Sequence, residues 1–206
     1  MSGYCQPVEI RAPKGARIAP ALGNGFSEGT RDRSLVGLQI GPVYRFRVTE
    51  IPGHPGVEVF PTIEMVDRMY PPPGQALRFP VPVELTQREL EMAAEGRFVT
   101  RIIYVEDPQL ALPIAEKASS ETRWIDVRAG EDPLVTADAL GRPIAILRMG
   151  GRVPEPNGME PQFVYGAPPA MVYNRTKTAK PTPLQSGVQL APHIEEVAPD
   201  LEGGTP

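Results

Sequence analysis

The chain has 206 residues, 41% of them apolar, and a formal charge of −4 that is spread without blocks: +2 over residues 1–35, −4 over 36–150 and −2 over 151–206. That is enough apolar material for a buried core, and no field strong enough to draw the chain to nucleic acid or anionic lipid. No run reaches the roughly 18 consecutive apolar residues of a membrane span.

Proline is the outlier, with 26 residues against an average usage of about 5%. Proline at this level excludes long helices and favours short strands, turns and extended tails. Cys5 is the single cysteine, which removes an internal disulfide and a thiolate zinc cluster. Tyr4 stands where lipoprotein processing wants a small residue, so Cys5 reads as an ordinary thiol.

Residues 1–35 contain APKGARIAPALGNGFSEGTRDRS, with no sustained period of 2 or 3.6, and predict an irregular head. Residues 36–152 read as a β-rich globular domain. Within it VYRFRVTEI (43–51) alternates, with Tyr44, Phe46 and Val48 on one face and Arg45, Arg47 and Thr49 on the other. PGHPG (52–56) then turns the chain and VEVFPTIEMV (57–66) returns, a β-hairpin with a five-residue loop.

LRFPVPVEL (77–85) carries Pro80 and Pro82 two apart, so both missing N–H donors fall on one side and the segment predicts an edge strand. Leu85-Thr86-Gln87-Arg88-Glu89-Leu90 has the spacing of a capping box with a hydrophobic staple, and Gly96 stands where the helix would end. RFVTRIIYVE (97–106) is apolar on both faces and predicts the central strand. Asp107-Pro108 and Asp132-Pro133 each pair an N-cap with proline at the first helical position, predicting helices near 108–117 and 133–140. RWIDVR (123–128) and RPIAILRMG (142–150) complete the expected strands. Residues 153–206, with many prolines and short apolar islands, predict an extended tail. The expected fold is α+β, mainly antiparallel and sandwich-like, with three short helices after residues 86, 107 and 132. A mixed sheet is the alternative, because the strand–helix–strand succession also permits parallel neighbours.

Chemistry-bearing patterns are sparse. His54 lies in a Pro-Gly turn and His193 in the tail, with no G-x-S-x-G, S-x-x-K or H-E-x-x-H pattern beside them. Glu64, Asp67, Glu84, Glu106, Asp107, Glu131 and Asp132 are acid/base candidates for a hydrolase, although several have the positions of caps. GNGFSEG (23–29) lacks the preceding strand a phosphate loop requires. No catalytic, cofactor-binding or metal-binding residue is assigned, and no cofactor is expected.

DVRAGEDPLVTADALGR (126–142) resembles the opening half of the LysM glycan-binding module, with Val127, Gly130, Asp132, Leu134, Ala137 and Gly141 at the matching positions. The resemblance implies a strand, a Gly-acidic turn and a capped helix, and peptidoglycan as a partner. The module's second helix and closing Asn are replaced here by PIAILRMGG. Over a longer span, GLQIGPVYRFRVTEIPGHPGVEVFPTIEMV (37–66) through RPIAILRMGGRVP (142–154) resembles uncharacterised exported proteins of planctomycete bacteria, which implies an envelope location and no particular activity.

The leading expectation is a non-catalytic structural or interaction protein of the cell envelope, self-assembling through extended Pro-rich termini or binding another envelope protein. FVYGAPPAMVY (163–173) is the segment expected to add to an exposed sheet edge, with Phe163, Tyr165, Met171 and Tyr173 as the partner-binding side chains. A glycan-binding module is the second reading and a carboxylate-dependent hydrolase the third.

Overall fold

A computed structural model of the chain describes residues 4–23, 25–109, 125–128, 130–150, 153–154, 163 and 170–173. The segment read as an irregular head forms strands: β1 (Cys5–Arg11), β2 (Arg17–Leu22), β3 (Gly25–Phe26), β4 (Thr30–Arg31) and β5 (Arg33–Gln39). β1 pairs β5 antiparallel from Cys5↔Gln39 to Arg11↔Arg33, and β2 pairs β4 at Arg17↔Arg31 and Ile18↔Thr30. The two pairings are halves of one ribbon, divided at Asp32.

Asp32 has φ 61°, a left-handed conformation that Asp and Asn tolerate better than most residues. Its N–H donates to the Ala16 carbonyl and its own carbonyl accepts from Ala12, both at 2.9 Å. Its carboxylate accepts the Gly15 N–H at 2.5 Å. Beyond this corner β1 and β5 enter one sheet, while β2 and β4 enter another.

β6 (Val43–Thr49) and β7 (Thr62–Met65) form the expected hairpin. Tyr44, Phe46 and Val48 are buried, as their alternation required. The five-residue loop is too short, because the ladder closes at Val48 and Val59, which exchange bonds of 2.8 and 3.0 Å. Residues 49–58 therefore make the connection, and Pro61 still accepts the Phe46 N–H at 2.9 Å.

Among the described residues β8 (Val81–Glu84) pairs β1 alone, in parallel, at the end of its sheet, as the proline argument for an edge expects. Its strand is shorter than expected, since Ala76–Arg78 form a 3-10 turn. Helix α1 (Gln87–Ala94) opens on the capping box: the Thr86 N–H donates to the Glu89 carboxylate at 3.0 Å and the Glu89 N–H to the Thr86 hydroxyl at 3.2 Å. It closes on a Schellman motif, with Gly96 at φ 81° and bonds from Gly96 to Ala93 and from Arg97 to Met92.

β9 (Val99–Glu106) corrects the central-strand expectation. Among the described residues it pairs β10 (Gly141–Met149) alone and ends its sheet, while β10 lies between β7 and β9. Helix α2 (Pro133–Leu140) opens on Asp132, whose carboxylate accepts the Leu134 N–H at 2.9 Å, and packs against β9 and β10. The helix expected near 108–117 falls, beyond Gln109, outside the described residues. Residues 125–128 have no strand, contrary to expectation.

The last strand, β11 (Met171–Val172), completes a four-stranded sheet in the order β11-β5-β1-β8. The other sheet has seven strands, β3-β2-β6-β7-β10-β9 with β4 on β2. All the pairings are antiparallel except β1 with β8 and an isolated bridge between Ile40 and Met65. One apolar cluster draws on both sheets, with Val8, Ile10, Val36, Leu38 and Val83 from the smaller and Ile18, Phe46, Ile63, Met65 and Leu147 from the larger. Leu85 and Leu90 join it, as the hydrophobic staple requires. β1 and β2 thus contribute to the same core as β5 to β8 and β10, and Ala170 joins it.

Two substitutions test whether the N-terminal strands are structural. Ile18→Ala should lower unfolding free energy by about 2–5 kcal/mol, the range for a fully buried large-to-small change; an irregular head would show almost no effect in denaturant titration. Asp32→Val, which puts a β-branched residue at positive φ and removes the acceptor for Gly15, should cost about 1–3 kcal/mol, and Asp32→Asn less.

Candidate functional site

The described residues of the segment singled out for partner binding, Phe163 and 170–173, contact their own chain. Phe163 is 2% exposed; its ring meets Phe60 edge-on at 5.1 Å, and the Arg45 guanidinium lies 4.3 Å from its centroid. Phe60 in turn meets Phe26 at 5.7 Å, and Arg47 lies over Phe26 at 5.3 Å. Arg45 and Arg47 are the outward residues of β6, so this aromatic row covers the polar face of the hairpin strand. Tyr165 is outside the described residues.

Met171 and Val172 add antiparallel to β5, at Met171↔Gly37 and Val172↔Val36. The Tyr173 N–H extends the ladder to the Leu35 carbonyl at 3.0 Å. Gly37 is the seat for the Tyr173 ring: a Cβ there would lie 2.7 Å from the phenol oxygen. Burial raises the Tyr173 phenol above its ordinary value, and nearby charge on Cys5 and Tyr4 acts in the same direction. Phe163 and Tyr173 thus contact their own chain, whereas Met171 remains 50% and Val172 42% exposed. The physical reason is that an aromatic able to reach its own sheet buries its ring without the translational cost of association.

His54 has an acid beside it. Its Nε2 lies 3.1 Å from Glu91 Oε1, and both side chains are 39% exposed. The Gln87 amide donates to the same carboxylate oxygen at 2.8 Å and to the Pro52 carbonyl at 2.9 Å. Hydrogen bonding from Gln87, then from His54, holds the Glu91 carboxyl below its ordinary range. An acid held ionised at the surface is the opposite of one kept protonated for proton donation. The arrangement is a latch that fastens the 49–58 connection to α1.

Glu64, Asp67, Asp107 and Asp132 also make local structural contacts. Glu64 pairs Arg148 at 2.9 Å. Asp67 pairs Arg142 and accepts the Arg68 N–H at 2.7 Å; burial pushes its carboxyl up, but these bonds and charges outweigh it and the net shift is downward. Asp107 and Asp132 accept N–H groups from Gln109 and Leu134, both at 2.9 Å. Glu50, which sequence reading passed over, bridges Arg17 at 3.1 Å and Arg31 at 2.9 Å across the strand ends, and these guanidiniums hold it low. Among the described residues no three His, Cys, Asp or Glu side chains converge as a metal would require, and no helix is long and apolar enough to cross a membrane.

A second surface cluster was also not legible in the sequence. Arg68 lies 5.4 Å from the Tyr4 ring and 4.7 Å from that of Tyr70, and Arg142 lies 5.4 Å from Tyr70. Gln6, fully buried, fixes the two sides: its amide oxygen accepts from the Met69 N–H at 2.7 Å and the Tyr4 hydroxyl at 3.2 Å. Tyr4, Arg68 and Arg142 are far apart in the chain, so no motif spacing announces them. The guanidinium–ring contacts are satisfied internally, and Tyr70 presents a 67% exposed ring.

In the stretch 126–142, α2 leads directly into β10. Comparisons with protein-family models, curated proteins and solved structures returned no match.

The latch makes a pH-dependent prediction. A lowered carboxyl contributes stability above its unfolded value and loses it as pH falls through the folded value. In denaturant titrations Glu91→Gln should therefore be less stable than the parent near neutral pH, with the difference closing below the ordinary glutamate value of about 4.3. A difference that does not change with pH would mean that the carboxylate charge contributes nothing to the latch.

Proposed function

We propose that the protein is a non-catalytic structural or interaction protein of the cell envelope. It comprises a sandwich-like two-sheet body whose C-terminal chain makes contact with neighbouring copies or another envelope protein. The observation that carries this reading is the joint between residues 171–173 and β5: the C-terminal chain binds a sheet edge through its backbone, the mode by which extended peptides are recognised. The acids favour the same reading, since Glu50, Asp67 and Glu91 are held in their charged form by neighbouring donors. The envelope location rests on the resemblance at 37–66 and 142–154. The N-terminal residues have no part in this proposal, because β1 to β5 are built into the body.

Light scattering of the full chain across a concentration series tests self-association. The expected result is a mass that rises above the 22.4 kDa of a single chain as concentration increases. A constant single-chain mass throughout the series overturns self-assembly.

A further inference from the structure

We propose that the face built from Tyr4, Arg68, Tyr70 and Arg142 is a docking surface for an acidic segment of another protein, with the Arg68 guanidinium receiving its carboxylate and the Tyr70 ring serving as the aromatic anchor. The inference rests on the interaction-protein reading above and identifies a contact surface on the body, apart from the joint at residues 171–173.

The charge on this face is not balanced from within. Two guanidiniums, Arg68 and Arg142, stand beside one carboxylate, Asp67, and Asp67 pairs Arg142. Arg142 also donates to the Arg68 carbonyl at 3.0 Å. Arg68 is exposed and forms no ion pair among the described residues. Its guanidinium lies 5.4 Å from the Tyr4 ring and 4.7 Å from that of Tyr70, and it hydrogen-bonds the Tyr70 side chain. A guanidinium carries five N–H donors in a planar fork that matches a carboxylate, and contacts with rings and one phenol leave that fork without an acid.

The face is also held in place. The fully buried Gln6 accepts the Met69 N–H and the Tyr4 hydroxyl on one oxygen, which ties β1 to the segment carrying Arg68 and Tyr70. Tyr70 precedes Pro71, a neighbour that restricts its backbone to extended conformations. Groups held in this way lose little freedom on binding, and Tyr and Arg are the side chains in which interface energy concentrates. Tyr70 is 67% and Tyr4 43% exposed. Their rings offer apolar area beside the unmatched charge, which an inorganic anion would leave uncovered and a peptide side chain with its backbone would cover.

The test titrates the full-length chain with an acetylated hexaglutamate peptide and follows arginine Nε–H and tyrosine ring signals by NMR. The variants are Arg68→Gln, Tyr70→Ala and, as a charge control, Arg88→Gln at an exposed position of α1. The substituted side chains are exposed, so each variant should keep the parent's unfolding transition. The expected result is saturable shifts at Arg68 and Tyr70 that weaken as salt is raised. Affinity should fall about tenfold or more in Arg68→Gln, the loss of one charge-assisted contact, fall also in Tyr70→Ala, and stay unchanged in Arg88→Gln. Shifts that do not saturate, or an equal loss in Arg88→Gln, overturn the proposal. Inorganic phosphate producing the same shifts at the same concentration overturns it too, since the face then holds an adventitious ion only. If Arg68→Gln instead abolishes a concentration-dependent rise of mass in light scattering, the face joins copies of this chain and the assignment to another protein falls. A rise of mass without peptide binding removes this surface and leaves the interaction reading standing; the absence of both removes both.

Discussion

The architecture depends on one backbone corner. Asp32 places a left-handed residue between β4 and β5, opposite the turn between β1 and β2, and so divides one ribbon between two sheets. Two main-chain bonds bracket it, and its carboxylate closes the facing turn at Gly15. The conformation would cost an ordinary residue about 1–2 kcal/mol, and Asp reduces that cost by hydrogen-bonding locally. With the corner in place, Val8, Ile10, Val36 and Leu38 meet Ile18 and Phe46 in a single apolar cluster. Without it the two halves of the ribbon would have no reason to face the same core.

Several charged side chains serve the ends and edges of this frame. Glu89 caps α1 and pairs Arg101 of β9 at 3.2 Å, while Arg101 also donates to the Glu84 carbonyl at the end of β8. Burial lowers Arg101 from its ordinary value, and the Glu89 and Glu84 charges work against that shift. Glu50 gathers Arg17 and Arg31 where β2, β4 and β6 end together. The Glu50 pairs position strand ends more than they contribute energy, since exposed ion pairs are individually weak.

The aromatic side chains show the complementary economy. Phe26, Phe60 and Phe163 cover the outward arginines of β6, and the Tyr173 ring occupies the space left by Gly37. Body and C-terminal segment are therefore matched in shape, although the segment is tied on by few backbone bonds. A match of this kind depends on neither chain length nor connectivity.

Local chemistry was legible in the residues themselves. Thr86 with Glu89, Asp132 with Pro133, Gly96 after α1 and the buried triplet Tyr44, Phe46 and Val48 all follow from spacing along the chain, because caps and faces are set within a few residues. The N-terminal strands were missed because β1 contains Pro7 and β2 contains Pro20 within a Gly- and Ala-rich stretch, and their register comes from partners distant in sequence. Side-chain alternation likewise reported that β9 is apolar on both faces, but not that it ends its sheet. Faces are written in side chains, whereas edges belong to the backbone, whose donors and acceptors are the same at every residue except proline. The prolines of β8 could therefore declare an edge from sequence. The place of β9, the corner at Asp32 and the docking of residues 171–173 on β5 were decided only by tertiary structure.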